Sequence, residues 1–158
     1  MGHSGSCAAL WERVVDETPD DIIDWEAFQV ARSELGADFI RILGYFREDG
    51  AKSVDALETA VRANKAVAMV MPAHTLKGEA RQFGADALGD LAEIIEDHAR
   101  QCIEWGHEPD GAIEHVVKLR PLFVETMDAF DKETNPLVER RGFGKRDTVA
   151  NNQGFGRI

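Results

Sequence analysis

The chain of 158 residues has two cysteines, Cys7 and Cys102, far apart and in no CxxC pair. That scarcity excludes a disulfide framework and makes a reducing cytoplasm the simplest expectation. No run of eighteen apolar residues occurs, so no segment is expected to span a membrane. The opening MGHSGSCAALWERVV lacks both a basic patch and a long apolar stretch, so it does not read as a secretory signal. Sustained apolar/polar alternation is missing, and no hairpin dipeptide lies between β-branched runs, which argues against a sheet. Basic residues are also few, 18 against 29 acidic, for a net charge of −11. Five of them fall in residues 136–158 beside two acids, leaving 13 basic against 27 acidic residues up to Asn135, a balance of −14. So acidic a body repels phosphate backbones and argues against nucleic acid as a partner.

What the chain does have is helical periodicity. A short first helix is expected over Cys7–Glu17, capped by Ser6 and ended by the turn Thr18-Pro19-Asp20-Asp21. Asp24 caps a second, with Ile23 and Phe28 at the two positions of a hydrophobic staple and Gly36 as its stop. A third should run from Asp38 to Ala63 on the stripe Phe39, Ile42, Leu43, Phe46, Val54, Leu57 and Val61, broken by Asn64. A fourth, the longest, is expected from Ala66 to about Glu104, and a fifth, capped by Asp110, ends near Glu133. Pro72 and Pro121 lie inside these last two and should kink them. The expected layout is an N-terminal extension over 1–23, a helical body over 24–134, and an irregular, flexible basic tail over 135–158. The tail contains the similar pentapeptides GFGKR and GFGRI, with Phe143 and Phe155 as candidate anchors of a docking motif.

Within the fourth helix, AMVMPAHTLKGEARQFGADALGDL carries one histidine and three glycines, Gly78, Gly84 and Gly89. Each glycine in a helix interior costs about 1 kcal/mol relative to alanine. At about 100° per residue, Met69, Ala73, Leu76, Ala80, Phe83, Ala87, Leu91 and Ile94 form one apolar stripe. His74 falls nearly opposite, with Lys77, Gly78 and Arg81, and so faces solvent. A bare glycine at i+4 lets another protein's backbone approach the imidazole, and Lys77 offers a cation to an anion at the ring. An exposed imidazole is partly neutral near pH 7 and can act as a nucleophile. Nucleophile, cation and access together suggest phosphoryl transfer. Val67, Val70 and Met71 precede the histidine on this face, either packed against a neighbouring helix or forming a docking surface.

The other histidines read as structural. His98 projects toward the core stripe, His107 and His115 belong to a turn and a helix start, and His3 is terminal. Glu93, Glu96, Asp97 and His98 lack the Glu-x-x-His pairs of a dimetal bundle, so no metal site is expected.

His74-Thr75-Leu76-Lys77-Gly78, with Gly84 six residues on and Leu88 and Leu91 beyond, resembles the HxLKGxxxxxG signature of histidine phosphotransfer (HPt) domains. The segments IDWEAF and FREDGAKSVDALETAV are similar to that family's first two bundle helices, and the resemblance covers about residues 22–133. It implies an all-α, antiparallel four-helix bundle, here with a short extra N-terminal helix. It also implies that His74 receives a phosphoryl group from a receiver-domain aspartate and passes it to another receiver. Carried over by position, His74 is the phosphorylated nucleophile, Lys77 its electrostatic neighbour and Gly78 the access position, while Leu76 and Gly84 are structural. The implied partners are response-regulator receiver domains, with a hybrid histidine kinase as a further candidate. The chain would act as a monomer without a cofactor of its own, Mg²⁺ belonging to the receiver. Glu79 and Arg81 depart from the family's usual small residues, and Arg81 becomes a candidate partner-binding residue beside Val67, Val70 and Met71. No glycine-rich phosphate loop occurs, so phosphorylation from ATP is not expected. The competing reading is a binding module that sequesters a receiver without relaying phosphate.

Overall fold

The computed structural model describes residues 22–135 and 137, and every regular element among them is helical. They form α1 (Trp25–Leu35), α2 (Phe39–Arg62), α3 (Ala66–Gln82), α4 (Asp86–Trp105) and α5 (Ile113–Thr134), with single 3-10 turns at Gly36–Asp38 and Pro109–Ala112. α2 to α5 are the four long helices of the bundle. α1, which begins within IDWEAF and was expected as the first of the four, is instead a short helix before them. The fourth long helix comes from the division of the expected Ala66–Glu104 helix. The chain divides into two units, Met1–Thr126 and Met127–Ile158, and the described part of the second consists of the last turns of α5 and the residues just after it. The expected helix over Cys7–Glu17, the pentapeptides and nearly all of the tail lie outside the described residues. No described helix is long and apolar enough to cross a membrane.

Local chemistry sets most helix ends. The Asp24 carboxylate accepts from the Ala27 N–H at 3.1 Å and starts α1, with Ile23 and Phe28 both buried at the staple positions. Gly36 closes it at positive φ. α2 ends where Asn64 turns left-handed: Lys65 N–H donates to Ala60 O at 2.9 Å and Asn64 N–H to Val61 O at 3.2 Å, the paired bonds of a Schellman motif. The apolar stripe proposed for α2 is buried except Ile42, which is half-buried. Asp110, expected to cap α5, instead sits in the second 3-10 turn, where its carboxylate accepts from Gly111 N–H. Pro72 and Pro121 both lie inside helices.

The single helix expected over Ala66 to Glu104 is two helices. Gly84 adopts φ +75°, with Ala85 N–H donating to Ala80 O at 2.8 Å and Gly84 N–H to Arg81 O at 3.2 Å. This is again a Schellman stop, and α4 restarts at Asp86. An unbroken helix of that span would extend roughly 58 Å, against about 36 Å for α2, and could not bury its stripe along one neighbour. Restarting changes the rotational phase, so Ile94, placed on the core stripe above, is 44% exposed.

The core near this turn is aromatic. Phe28 of α1 meets Phe39 edge-on at 5.3 Å, Phe39 meets Phe83 at 5.8 Å, and Phe46 stacks on Phe83 at 5.5 Å. Phe83 therefore pins the α3–α4 turn against α2. Asp24 N–H donates to Gly84 O at 2.8 Å, tying the start of α1 to the same turn. On α5, Phe123 packs over Gly50 of α2, where an added Cβ would lie 2.5 Å from its ring, and Arg120 pairs with Asp55 and Glu58. α2 and α4 thus flank α3, the helix that carries His74.

Candidate functional site

His74 stands in the middle of α3 with its side chain 56% exposed. Its ring is not free in solvent. Nδ1 lies 3.2 Å from both carboxylate oxygens of Glu96 on α4. Glu96 was read above only as part of an incomplete metal cluster, and it is the site residue the sequence reading missed. Its side chain is 5% exposed. Leu88, Ala92, Ile95 and Ala99 beside it are all buried, so an acid on this apolar face of α4 was the signal available.

A buried carboxylate needs partners, and Glu96 has three. Lys77 Nζ lies 2.9 Å from Oε1, while Arg100 Nε and Nη2 each lie 2.9 Å from Oε2. His74 Nδ1 completes the set. Burial pushes the Glu96 pKa up, but the hydrogen bonds from Lys77, Arg100 and His74 outweigh it and hold the group at about 2. Glu96 is therefore ionised at neutral pH and can only accept hydrogen bonds. Nδ1 must then carry the proton it donates, and in the neutral ring this leaves the Nε2 lone pair free. With its neighbour fixed in charge, the neutral imidazole is held in one tautomer, with Nδ1 toward Glu96 and Nε2 unprotonated.

The remaining sequence-derived residues fall as follows. Lys77 is on the same face, but its side chain is only 20% exposed because α4 covers the edge of that face. Its ammonium is bonded to Glu96 rather than standing free beside the ring. Gly78 is exposed, and a Cβ added there would meet nothing within 4 Å. Val67 and Met71 are 75% and 66% exposed and Val70 is half-buried, so the first two do not pack on a neighbouring helix. Arg81 turns to α4, where it pairs with Glu93 at 2.7 Å and Asp90 at 3.3 Å. Its stem occupies the space left by Gly89, whose added Cβ would lie 2.9 Å from Arg81 Cγ. Glu79 is half-buried on the α2 side, where burial and Asp49 push its carboxyl pKa up. His98, expected to project toward the core stripe, is half-buried. Among the described residues, no three His, Cys, Asp or Glu side chains gather as a metal site.

The three glycines of residues 68–91 thus serve three ends. Gly78 leaves the ring's flank open, Gly84 makes the left-handed stop, and Gly89 admits the Arg81 stem.

Searches of curated proteins and of solved structures find no match to this chain. A family model described as the Hpt domain matches residues 41–129, more than half of the chain. The match begins in the first turn of α2 and runs into the last turns of α5, so it includes His74, Lys77, Gly78, Glu96 and Arg100 but not α1. Helical fold, signature and match agree: the chain belongs to the Hpt domain family and has a histidine phosphotransfer role in two-component signalling.

Proposed function

We propose that the protein relays a phosphoryl group between receiver-domain aspartates by way of His74 Nε2. The observation that carries this reading is the contact between His74 Nδ1 and the buried Glu96 carboxylate, which turns Nε2 outward as the free nitrogen. Nε2 attacks the phosphorus of an aspartyl phosphate, forming the N–P bond as the P–O bond to the aspartate breaks. The aspartate leaves as a carboxylate with the bonding electrons. The phosphorylated ring becomes an imidazolium, its Nδ1–H still directed at Glu96, so a negative charge already stands beside the positive charge that develops. Attack by a second receiver's aspartate reverses the sequence. No proton has to be moved.

Mg²⁺ and the other groups that stabilise the transferring phosphoryl come from the receiver, and this chain brings no cofactor of its own. The receiver docks over the exposed Val67 and Met71 with half-buried Val70, and Gly78 lets its backbone come close to the ring. Arg81, tied to Glu93 and Asp90, lies at the edge of that footprint.

The test is incubation with a phosphorylated, Mg²⁺-loaded receiver. Wild type should gain an acid-labile label, and His74→Gln should gain none while keeping its helical circular dichroism. A label that persists on His74→Gln would defeat the assignment. A receiver that binds tightly but transfers nothing would point instead to a sequestering module.

A further inference from the structure

We infer that Arg100 is a positioning residue for His74, acting at one remove through Glu96. The inference rests on the reading of His74 as the phosphoryl acceptor. Arg100 places Nε and Nη2 on Glu96 Oε2 at 2.9 Å, and its guanidinium stays 55% exposed. Lys77 holds the other oxygen at 2.9 Å. Held from both ends, the carboxylate presents its two oxygens to Nδ1 at equal distances of 3.2 Å. The titratable and charged groups facing Glu96 are His74 and Lys77 from α3 and Arg100 and Glu93 from α4.

The consequence is chemical. An ionised Glu96 only accepts, so the ring proton stays on Nδ1 and Nε2 keeps its lone pair. A protonated Glu96 would instead donate to Nδ1, sending the ring proton to Nε2 and capping the nucleophile. Burial favours that protonated state, and the cations oppose it. Arg100 therefore shares with Lys77 the control of which nitrogen of His74 can react, and it does so through Glu96 rather than by a hydrogen bond to the ring. Arginine suits the task because its guanidinium remains charged at all working pH values.

Two readouts on the full chain test this. The first is ring ¹⁵N NMR of the unphosphorylated protein, which reports the tautomer without any partner. The second is the rate of labelling by phosphoramidate, a small donor that needs no receiver. Arg100→Gln should raise the Nε2–H share and slow labelling on the order of tenfold, the scale on which orienting partners of a working histidine act. Arg100→Lys should restore most of both. In a Glu96→Gln background, Arg100→Gln should change labelling less than about twofold, because its route to the ring is already cut. An unchanged tautomer together with wild-type labelling in Arg100→Gln overturns the inference. So does a full Arg100→Gln effect that survives in Glu96→Gln, since Arg100 would then act on the donor directly. If labelling is too slow to measure, the tautomer decides alone. Loss of transfer from receivers only, with phosphoramidate labelling still dependent on Arg100, counts against the relay and for this inference.

Discussion

At the scale of single residues, the site turns on a carboxylate that is buried yet charged. Glu96 ionises well below its ordinary value of 4.5, at about 2. A depressed folded-state pKa contributes stability above the unfolded value, and that stability is lost as pH falls through the folded one. The contribution is on the order of 3 kcal/mol at neutral pH and should fade between pH 4.5 and pH 2. Melting temperatures across this range should therefore drop, and Glu96→Gln should show a shallower drop than wild type. Equal slopes would mean that Glu96 is not held ionised. At neutral pH, Glu96→Ala should destabilise by roughly 1–3 kcal/mol, below the full range for a broken buried pair because Arg100 can return to solvent.

Elements explain why two glycines six residues apart should respond oppositely to the same substitution. Gly78 lies inside α3 with open space around a would-be Cβ, so Gly78→Ala should stabilise by up to about 1 kcal/mol. Gly84 ends α3 at φ +75°, and a Cβ there would run into the Asp24 backbone oxygen. Gly84→Ala should destabilise by about 2 kcal/mol or more, since left-handed strain and the clash with α1 add. Urea unfolding of the two variants checks the pair of signs. Gly78→Gln should fold as well as wild type yet slow transfer from a receiver far more than Gly78→Ala does. Equal transfer rates would mean that no partner backbone comes close at this point.

For the molecule as a whole, charge separates the body from the tail. The body up to Asn135 carries −14, while 136–158 holds five basic residues against two acids and no apolar periodicity. Deleting 136–158 should leave the melting temperature nearly unchanged, because this stretch has too little patterned apolar surface to add to the core. A melt many degrees lower would show that the tail packs on the helices. Unchanged melting with weaker receiver binding would make the two pentapeptides a docking motif.

The features legible in the sequence were those decided within one helix. Asp24 as a cap, Gly36 and Asn64 as stops, and the exposure of His74 and Gly78 all follow from hydrogen bonds and periodicity inside a few turns. The α3–α4 break was misread even though Gly84 carried the same stop signal as Gly36. Apolar residues happened to continue the stripe across the turn. Glu96 lay beyond such reasoning altogether. It is 22 residues from His74 on another helix, and periodicity within one helix says nothing of its rotation against the next. That rotation is set by packing, through Phe83 stacked on Phe46 and the Gly84 turn docked on Asp24. The sequence by itself determined that a histidine would stand exposed on a helix. Only the tertiary structure decided which carboxylate holds its Nδ1, and so which ring nitrogen is left without that partner.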